Sequence, residues 1–413
     1  MRLSLLWPFL ASFPLAALAA EGVVVDEATG RTVAGATIVQ DGAVYHSGFD
    51  GRFLTPQEGR LLSARAPSYR RRDVPVEPGA PMRIALQSVT PKAIYLSPYG
   101  IADGKLRGAA LDLLAHTELN ALVIDMKGDA SVLPHASAAW QAAELGEQHP
   151  TAHDLGTLLR ALHERQIYLI ARIVVFKDDR FVRRHPQFAV RTAQGAIWHD
   201  REGLAWIDPS HREAWSFALD VADEAAQLGF DEIQFDYMRF PDATGLRFSI
   251  PETEAARVQT IGAFLDAARE RLARYNVFIA ADVFGYVCWN KDDTGIGQKL
   301  EVLAPKLDYL SPMLYPSGFT FGIPDHRDPV AAPYEIVRAS LARALERTGM
   351  PAKRLRPWLQ AFRDYAFDRR EFGAEQVRAQ IDAAEALGTD GWMLWNAGNH
   401  YAPGGLRGTG APP

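Results

Sequence analysis

The stretch Asp231-Glu-Ile-Gln-Phe-Asp-Tyr-Met-Arg-Phe-Pro241 decides the fold. It follows a helical segment that stops at Gly229, and it reads as a buried strand with a polar, aromatic exit. Side chains alternate faces along a strand. Ile233 and Phe235 therefore share one face, and Gln234 and Asp236 the other. A dry core does not suit polar groups at every second position, because each would need a partner. The inner wall of a barrel, near its mouth, does. Pro241 has no N–H to give a ladder and marks the end of the run. Asp236 is thus expected at the C-terminal end of a parallel strand, the active face of (β/α) barrels.

Seven further strand candidates surround this one. In order they are Ala93–Ser97, Ala121–Asp125, Tyr168–Arg172, then, after Glu232–Asp236, Phe278–Asp282, Leu307–Ser311, Arg356–Gln360 and Gly391–Trp395. Helical stretches over 154–165, 211–228, 254–274, 334–347 and 374–387 lie between them. Strands alternating with helices predict a parallel sheet with helical crossovers. Eight strands over residues 91–400 are the arithmetic of a (β/α)8 TIM barrel, an α/β fold. A doubly wound open sheet also alternates, but no Gly-x-Gly-x-x-Gly turn follows the first strand. Ser210-His-Arg-Glu213 has the form of a capping box. Gly229 and Gly388 fall where helices end, and glycine takes the left-handed cap cheaply. Residues 177–207 form a long insertion with a candidate hairpin, Phe188–Arg191 with Ala196–Trp198. No helix is predicted after the eighth strand, and the Gly- and Pro-containing tail over 401–413 reads as irregular.

Residues 1–20 read as a signal peptide. Arg2 precedes a mostly apolar run, and Ala17-Leu18-Ala19 fits a small-x-small cleavage pattern. The run is shorter than the roughly 20 residues of a spanning helix. A secreted or periplasmic protein is expected, with no membrane span after cleavage. The formal net charge of -6 and the absence of a basic run argue against nucleic acid as a partner. The single cysteine, Cys288, cannot form an internal disulfide and reads as a small buried apolar residue.

Residues 21–88 carry short strand-like runs, Val23–Val25, Ala36–Val39, Arg52–Leu54 and Arg83–Leu86, separated by turns at Asp26–Gly30, Asp41-Gly42 and Asp50-Gly51. This spacing suggests a small all-β sandwich. The segments Gly22-Val-Val-Val-Asp26, Gly30, Val33-Ala-Gly-Ala-Thr-Ile38 and Gly48-Phe-Asp-Gly-Arg-Phe53 resemble carboxypeptidase regulatory-like domains. That resemblance implies an immunoglobulin-like sandwich in a spacer or accessory-binding role. The Arg70–Arg72 cluster reads as a solvated strand edge.

The strand exits bring polar groups together. The second strand gives Asp125 and Lys127, which share a strand face and also fit a simple ion pair. The third gives Arg172, and the fourth Asp236, Tyr237 and Arg239. The fifth gives Asp282, then Tyr286 and Trp289; the sixth Tyr315; the seventh Gln360; the eighth Trp395 and Asn396. Two carboxylates on neighbouring strands, ringed by aromatic and amide groups, describe a site for cleaving sugars. Glycosidic hydrolysis uses one protonated carboxyl to expel the leaving oxygen and one ionised carboxylate to attack or to activate water. Asp236 is expected to be the nucleophile or charge stabiliser, held ionised by Arg172 or Arg239. Asp282 is expected to be the general acid/base, its pKa raised by apolar surroundings. The remaining residues would bind a carbohydrate substrate. No metal site and no cofactor is expected, because the histidines are scattered and no phosphate-cradling glycine loop is present. A carbohydrate-binding protein on the same scaffold, without catalysis, is the alternative.

Several blocks together resemble the glycoside hydrolase family DUF4015. They are Ala171-Arg-Ile-Val-Val-Phe-Lys177, Gly203-Leu-Ala-Trp-Ile-Asp-Pro209, Gly229–Pro241, Ala281-Asp-Val-Phe-Gly285 and Ser311-Pro-Met-Leu-Tyr-Pro316. The resemblance runs from about 92 to 400 and implies a barrel with sugar chemistry, without naming the sugar.

Overall fold

A computed structural model of the chain describes residues 19–56, 60–76 and 81–409. Nearly all of the expected signal peptide lies outside them. Among the described residues, no helix is long and apolar enough to cross a membrane.

Eight parallel strands close into a barrel in simple chain order. They are Lys92–Leu96, Ala121–Lys127, Tyr168–Val174, Glu232–Asp236, Phe278–Phe284, Tyr309–Met313, Trp358–Gln360 and Trp392–Trp395. Alternation sorts each strand between two cores. Ile124, Ala171, Phe235 and Leu359 face outward, into the layer shared with the helices. Val123, Ile170, Phe278, Ala280, Tyr309, Trp358 and Met393 fill the lumen. Small residues there, such as Ala93, Ala121 and Ala280, make room for the large rings. The barrel is a packed core with chemistry only at its ends.

The fourth strand spans Glu232–Asp236, the bounds expected for it, and the chain leaves the sheet there before reaching Pro241. Tyr237 causes this by adopting the left-handed region, with φ at 49°, which is rare for a bulky side chain. Ser210 does not cap a helix as expected. Its amide and hydroxyl both bond Asp208, and a 3-10 turn over Arg212–Ala214 leads into the helix Trp215–Gln227. The helix-ending glycines do take positive φ, 97° at Gly229 and 70° at Gly388. In the insertion, Trp198 donates to the Val190 carbonyl and Arg191 bridges Ile197, so the hairpin is present.

No helix follows the eighth strand among the described residues. Irregular chain covers that gap. Glu118 bonds the Arg407 carbonyl, and Thr409 the His116 carbonyl. The Tyr401 hydroxyl donates to Tyr95 and Leu394 carbonyls and accepts from the Tyr95 and Asn396 amides, so it sits on the seam between first and last strands.

The N-terminal residues form two sheets around a core of Val24, Ile38, Phe53, Leu62 and Ile84. One sheet orders Arg52–Pro56, Ala19–Asp26 and Met82–Leu86, the last pair parallel. The other orders Ala43–His46, Thr37–Gln40, Leu61–Arg65 and Arg72–Pro75, all antiparallel. Ala43–His46 and Arg72–Pro75 bury almost nothing, so no apolar alternation announced them.

This sandwich sits on the N-terminal floor of the barrel. Arg65 pairs with Asp308 at 2.7 Å and donates to Asn276. Ser68 bonds the Tyr309 hydroxyl and Asp390. Arg70 and Arg71 donate to the carbonyls of Gln166 and Tyr275, where helices end. They are interface groups rather than a solvated edge, because those C-terminal carbonyls lack partners of their own. Inside the floor, Arg356 pairs with Glu232 and Asp390, all three without solvent exposure. Removing one partner of a buried ion set typically costs about 3–5 kcal/mol, since uncompensated charge remains. Arg356→Ala should therefore lower unfolding stability by about 3–5 kcal/mol in a urea titration. An unchanged midpoint would mean that this ion set does not hold the floor.

Candidate active site

At the opposite end of the barrel, three carboxylates converge on one guanidinium. The third strand aims Arg172 into the lumen, with Asp125 opposite it in register on the second strand and Asp236 two residues beyond its register partner Gln234 on the fourth. Arg172 Nη1 donates to Asp125 at 2.6 Å, and Nε to Asp236 at 3.0 Å. The same Nε lies 3.8 Å from Asp282, on the fifth strand. Trp395 and Tyr95 stack on each other at 4.1 Å, and the Arg172 guanidinium lies 4.8 Å from the Trp395 ring. A cation beside an aromatic face is stabilised by the ring quadrupole. Burial works against the charge of Arg172, but Asp125 and Asp236 outweigh it, and its pKa rises. Arg172, not Arg239, is the charge partner of Asp236.

The carboxylates differ in environment. Asp236 is held at one oxygen by Arg172 and at the other by the Tyr237 amide. That second bond needs the left-handed turn at Tyr237, so the strain sits directly beside the carboxylate, as it often does at functional sites. Asp125 accepts from the Tyr95 hydroxyl at 2.7 Å, and burial raises its pKa against the pull of Arg172. Asp282 accepts from the Trp358 indole at 2.7 Å, and its other oxygen has no hydrogen-bond partner. Burial, and then the charge of Asp236, push its pKa well above the usual carboxylate range. Two carboxyl groups in unlike surroundings therefore share a guanidinium.

Above them opens a cavity of about 220 Å³. Of the expected residues, Arg172, Asp236, Tyr237, Arg239, Tyr286, Tyr315 and Trp395 line it. Gly285 also lines it, and a Cβ there would fall 2.6 Å from the Met313 carbonyl, so only glycine fits. Asp282 is 1% exposed and lies off the wall, and Asp125 lies beneath Arg172 and Tyr95.

Four expected residues lie elsewhere. A bulge between Asp125 and Lys127 turns Lys127 out of the lumen, where it pairs with Asp178 at 2.7 Å instead of Asp125. Gln360 is fully buried and bonds Ser317, fixing the loop after the sixth strand. The Trp289 indole donates to Ser340 on the outer helix Pro333–Thr348. Asn396 closes its own loop through the Ala361 and His400 carbonyls. In each case a nearer protein partner takes the polar group before a ligand could. Tyr95 and Trp358 went unrecognised as site residues. Both occupy inward positions of strands that had been identified, and alternation alone would have found them. Cys288 is buried and its thiol is pushed up to about 12, which leaves it inert. Among the described residues, no cluster of His, Cys, Asp and Glu is arranged to hold a metal ion.

Fold and site together define a barrel of the glycoside hydrolase class. The chain belongs to the family DUF4015, described as a "putative glycosyl hydrolase domain", which matches residues 93–401. No curated protein matches it. Among solved structures, a hypothetical protein from Ruminiclostridium thermocellum is 34% identical, over 46% of this chain and 97% of that one, with a TM-score of 0.42. The PgaB (BpsB) glycoside hydrolase domain from Bordetella bronchiseptica is similar at 16% identity, over 75% of this chain and 94% of that one, with a TM-score of 0.54. The Bacillus cereus spore cortex-lytic enzyme SleL aligns at 11% identity, over 85% of this chain and 86% of its own, at 0.48.

The state of Asp282 can be checked through stability. A carboxyl whose folded pKa is raised favours folding below its ordinary value, here 3.8. That advantage is lost as pH rises toward the folded-state pKa. Asp282→Asn has no such loss. Its stability relative to the parent chain should therefore rise between about pH 4 and pH 7, read from urea midpoints. A flat or falling difference would show that Asp282 is not held protonated.

Proposed function

We propose that this protein is an exported glycoside hydrolase that cleaves a polysaccharide or oligosaccharide with Asp236 and Asp282 as its paired carboxyl groups. One observation carries the proposal. Two carboxyl groups in unlike surroundings share one guanidinium: Arg172 bonds Asp236 at the cavity floor and lies 3.8 Å from Asp282, whose pKa is pushed upward by burial and then by the charge of Asp236. That is the division of labour glycosidic hydrolysis requires. Asp236 faces the cavity and acts as nucleophile or charge stabiliser. Asp282 supplies the proton, and its unpartnered oxygen is the one free to carry it. Tyr237, Tyr286, Tyr315 and Trp395 offer ring faces to the sugar, and Arg239 binds hydroxyls. Membership of a glycosyl hydrolase family supports the reaction class. The PgaB glycoside hydrolase domain shares the fold.

The burial of Asp282 favours a second reading, a glycan-binding protein without turnover. Wild type and the Asp236→Asn and Asp282→Asn variants, screened against bacterial exopolysaccharides and chitin-type glycans, separate the two. A hydrolase loses about 10²–10⁴-fold in turnover with each substitution while remaining folded by circular dichroism. Glycan binding by wild type with no product, or activity within a few-fold in both variants, rejects the catalytic pair.

Export rests on the basic start, apolar run and Ala17-Leu18-Ala19 of the sequence. In a bacterial host, the protein recovered outside the cytoplasm should begin at Ala20 by mass spectrometry. Recovery of the full-length chain in the cytoplasm alone would reject export.

A further inference from the structure

The cavity over Asp236 holds about 220 Å³, less than the roughly 300–1,000 Å³ of an ordinary small-ligand pocket. By itself it has room for only a short piece of glycan. It does not stand alone. Tyr237 and Arg239 form a ridge, and both line a second, wider basin of about 570 Å³ on its far side. That basin is built by the insertion after the third strand. Trp206 packs under the Arg239 guanidinium at 4.9 Å, and Trp198 lies 6.2 Å from Trp206. The basin's wall is fixed in place, because buried Lys177 pairs with Glu202 at 2.7 Å and Asp200 at 3.4 Å.

The other side of the mouth is also aromatic. Tyr365 lines the cavity and is half exposed, and it stacks on Phe362 with planes 11° apart. Phe321 stands 82% exposed, 6.3 Å from the cavity residue Tyr286. A largely exposed phenylalanine forfeits its burial energy, and grouped exposed rings mark binding grooves. The insertion belongs to the third and fourth strands, whereas Phe321 and Tyr365 follow the sixth and seventh, across the barrel.

We propose that these surfaces form one track. An extended glycan lies from the Trp198 basin, over the Tyr237–Arg239 ridge and Asp236, to Phe321 and Tyr365. Cleavage then falls inside the chain, away from its tip. This rests on the glycosidase reading above and specifies its substrate as a polymer.

The test uses the full chain, with end-labelled oligosaccharides of two, four and six sugars cut from the polymer that wild type hydrolyses. Early products of mixed length are expected. Trp198→Ala and Phe321→Ala should each raise KM at least tenfold on the hexasaccharide, with a clearly smaller rise on the disaccharide. The exposure of Phe321 keeps its variant free of folding defects. Equal losses at both lengths, or release of single sugars from one end, overturn the track and leave the glycosidase reading standing. No turnover on any polymer removes both.

Discussion

The guanidinium of Arg172 is the point on which the catalytic end depends. It is buried, and three carboxylates surround it. One positive charge cannot neutralise three negative ones in a low-dielectric interior, where isolated charges are very costly. The three are not held alike. Asp236 is gripped at one oxygen by Arg172 and at the other by a backbone amide. Asp282 has only an indole donor and a more distant guanidinium, and burial with the charge of Asp236 raises its pKa. The ring stack of Trp395 and Tyr95, worth about 0.5–1.5 kcal/mol as a ring pair, holds an aromatic face beside the cation.

The same device appears at the other end of the lumen with a different purpose. Arg356 is ringed by Glu232, Asp390, Tyr168 and Tyr309, and its side chain has no solvent exposure. The sandwich seals it through Ser68 and Arg65. Two buried arginines thus hold the two ends of one barrel. Access separates their roles, since Arg172 lines the cavity whereas Arg356 is sealed from solvent.

Much of the fold was legible because the barrel strands are long apolar runs with polar exits. The fourth strand was found to its first and last residue, Glu232 and Asp236. The lumen side of Asp236 followed from alternation, and Asp125, Arg172 and Asp282 from their place at neighbouring strand exits. What was not legible came from departures from that rule. A single bulge after Asp125 reversed Lys127, and no residue type announces a bulge there. Gln360, Trp289 and Asn396 are polar or aromatic groups at strand exits that found protein partners, which depends on neighbours distant in sequence. The exposed sandwich strands left no pattern, because they bury little. The role of Arg70 and Arg71 as carbonyl donors belongs to an interface that neither segment specifies alone.

The seam at Tyr401 has a consequence for how the molecule assembles. Its hydroxyl touches Tyr95 across 306 positions of sequence, and contacts of such long range form late because loop closure must come first. The ladder it covers joins Trp392–Trp395 to Lys92–Leu96, and until that pairing forms the sheet has two bare margins. During synthesis the first strand therefore spends an interval as an unpaired edge, the kind that invites pairing with another chain.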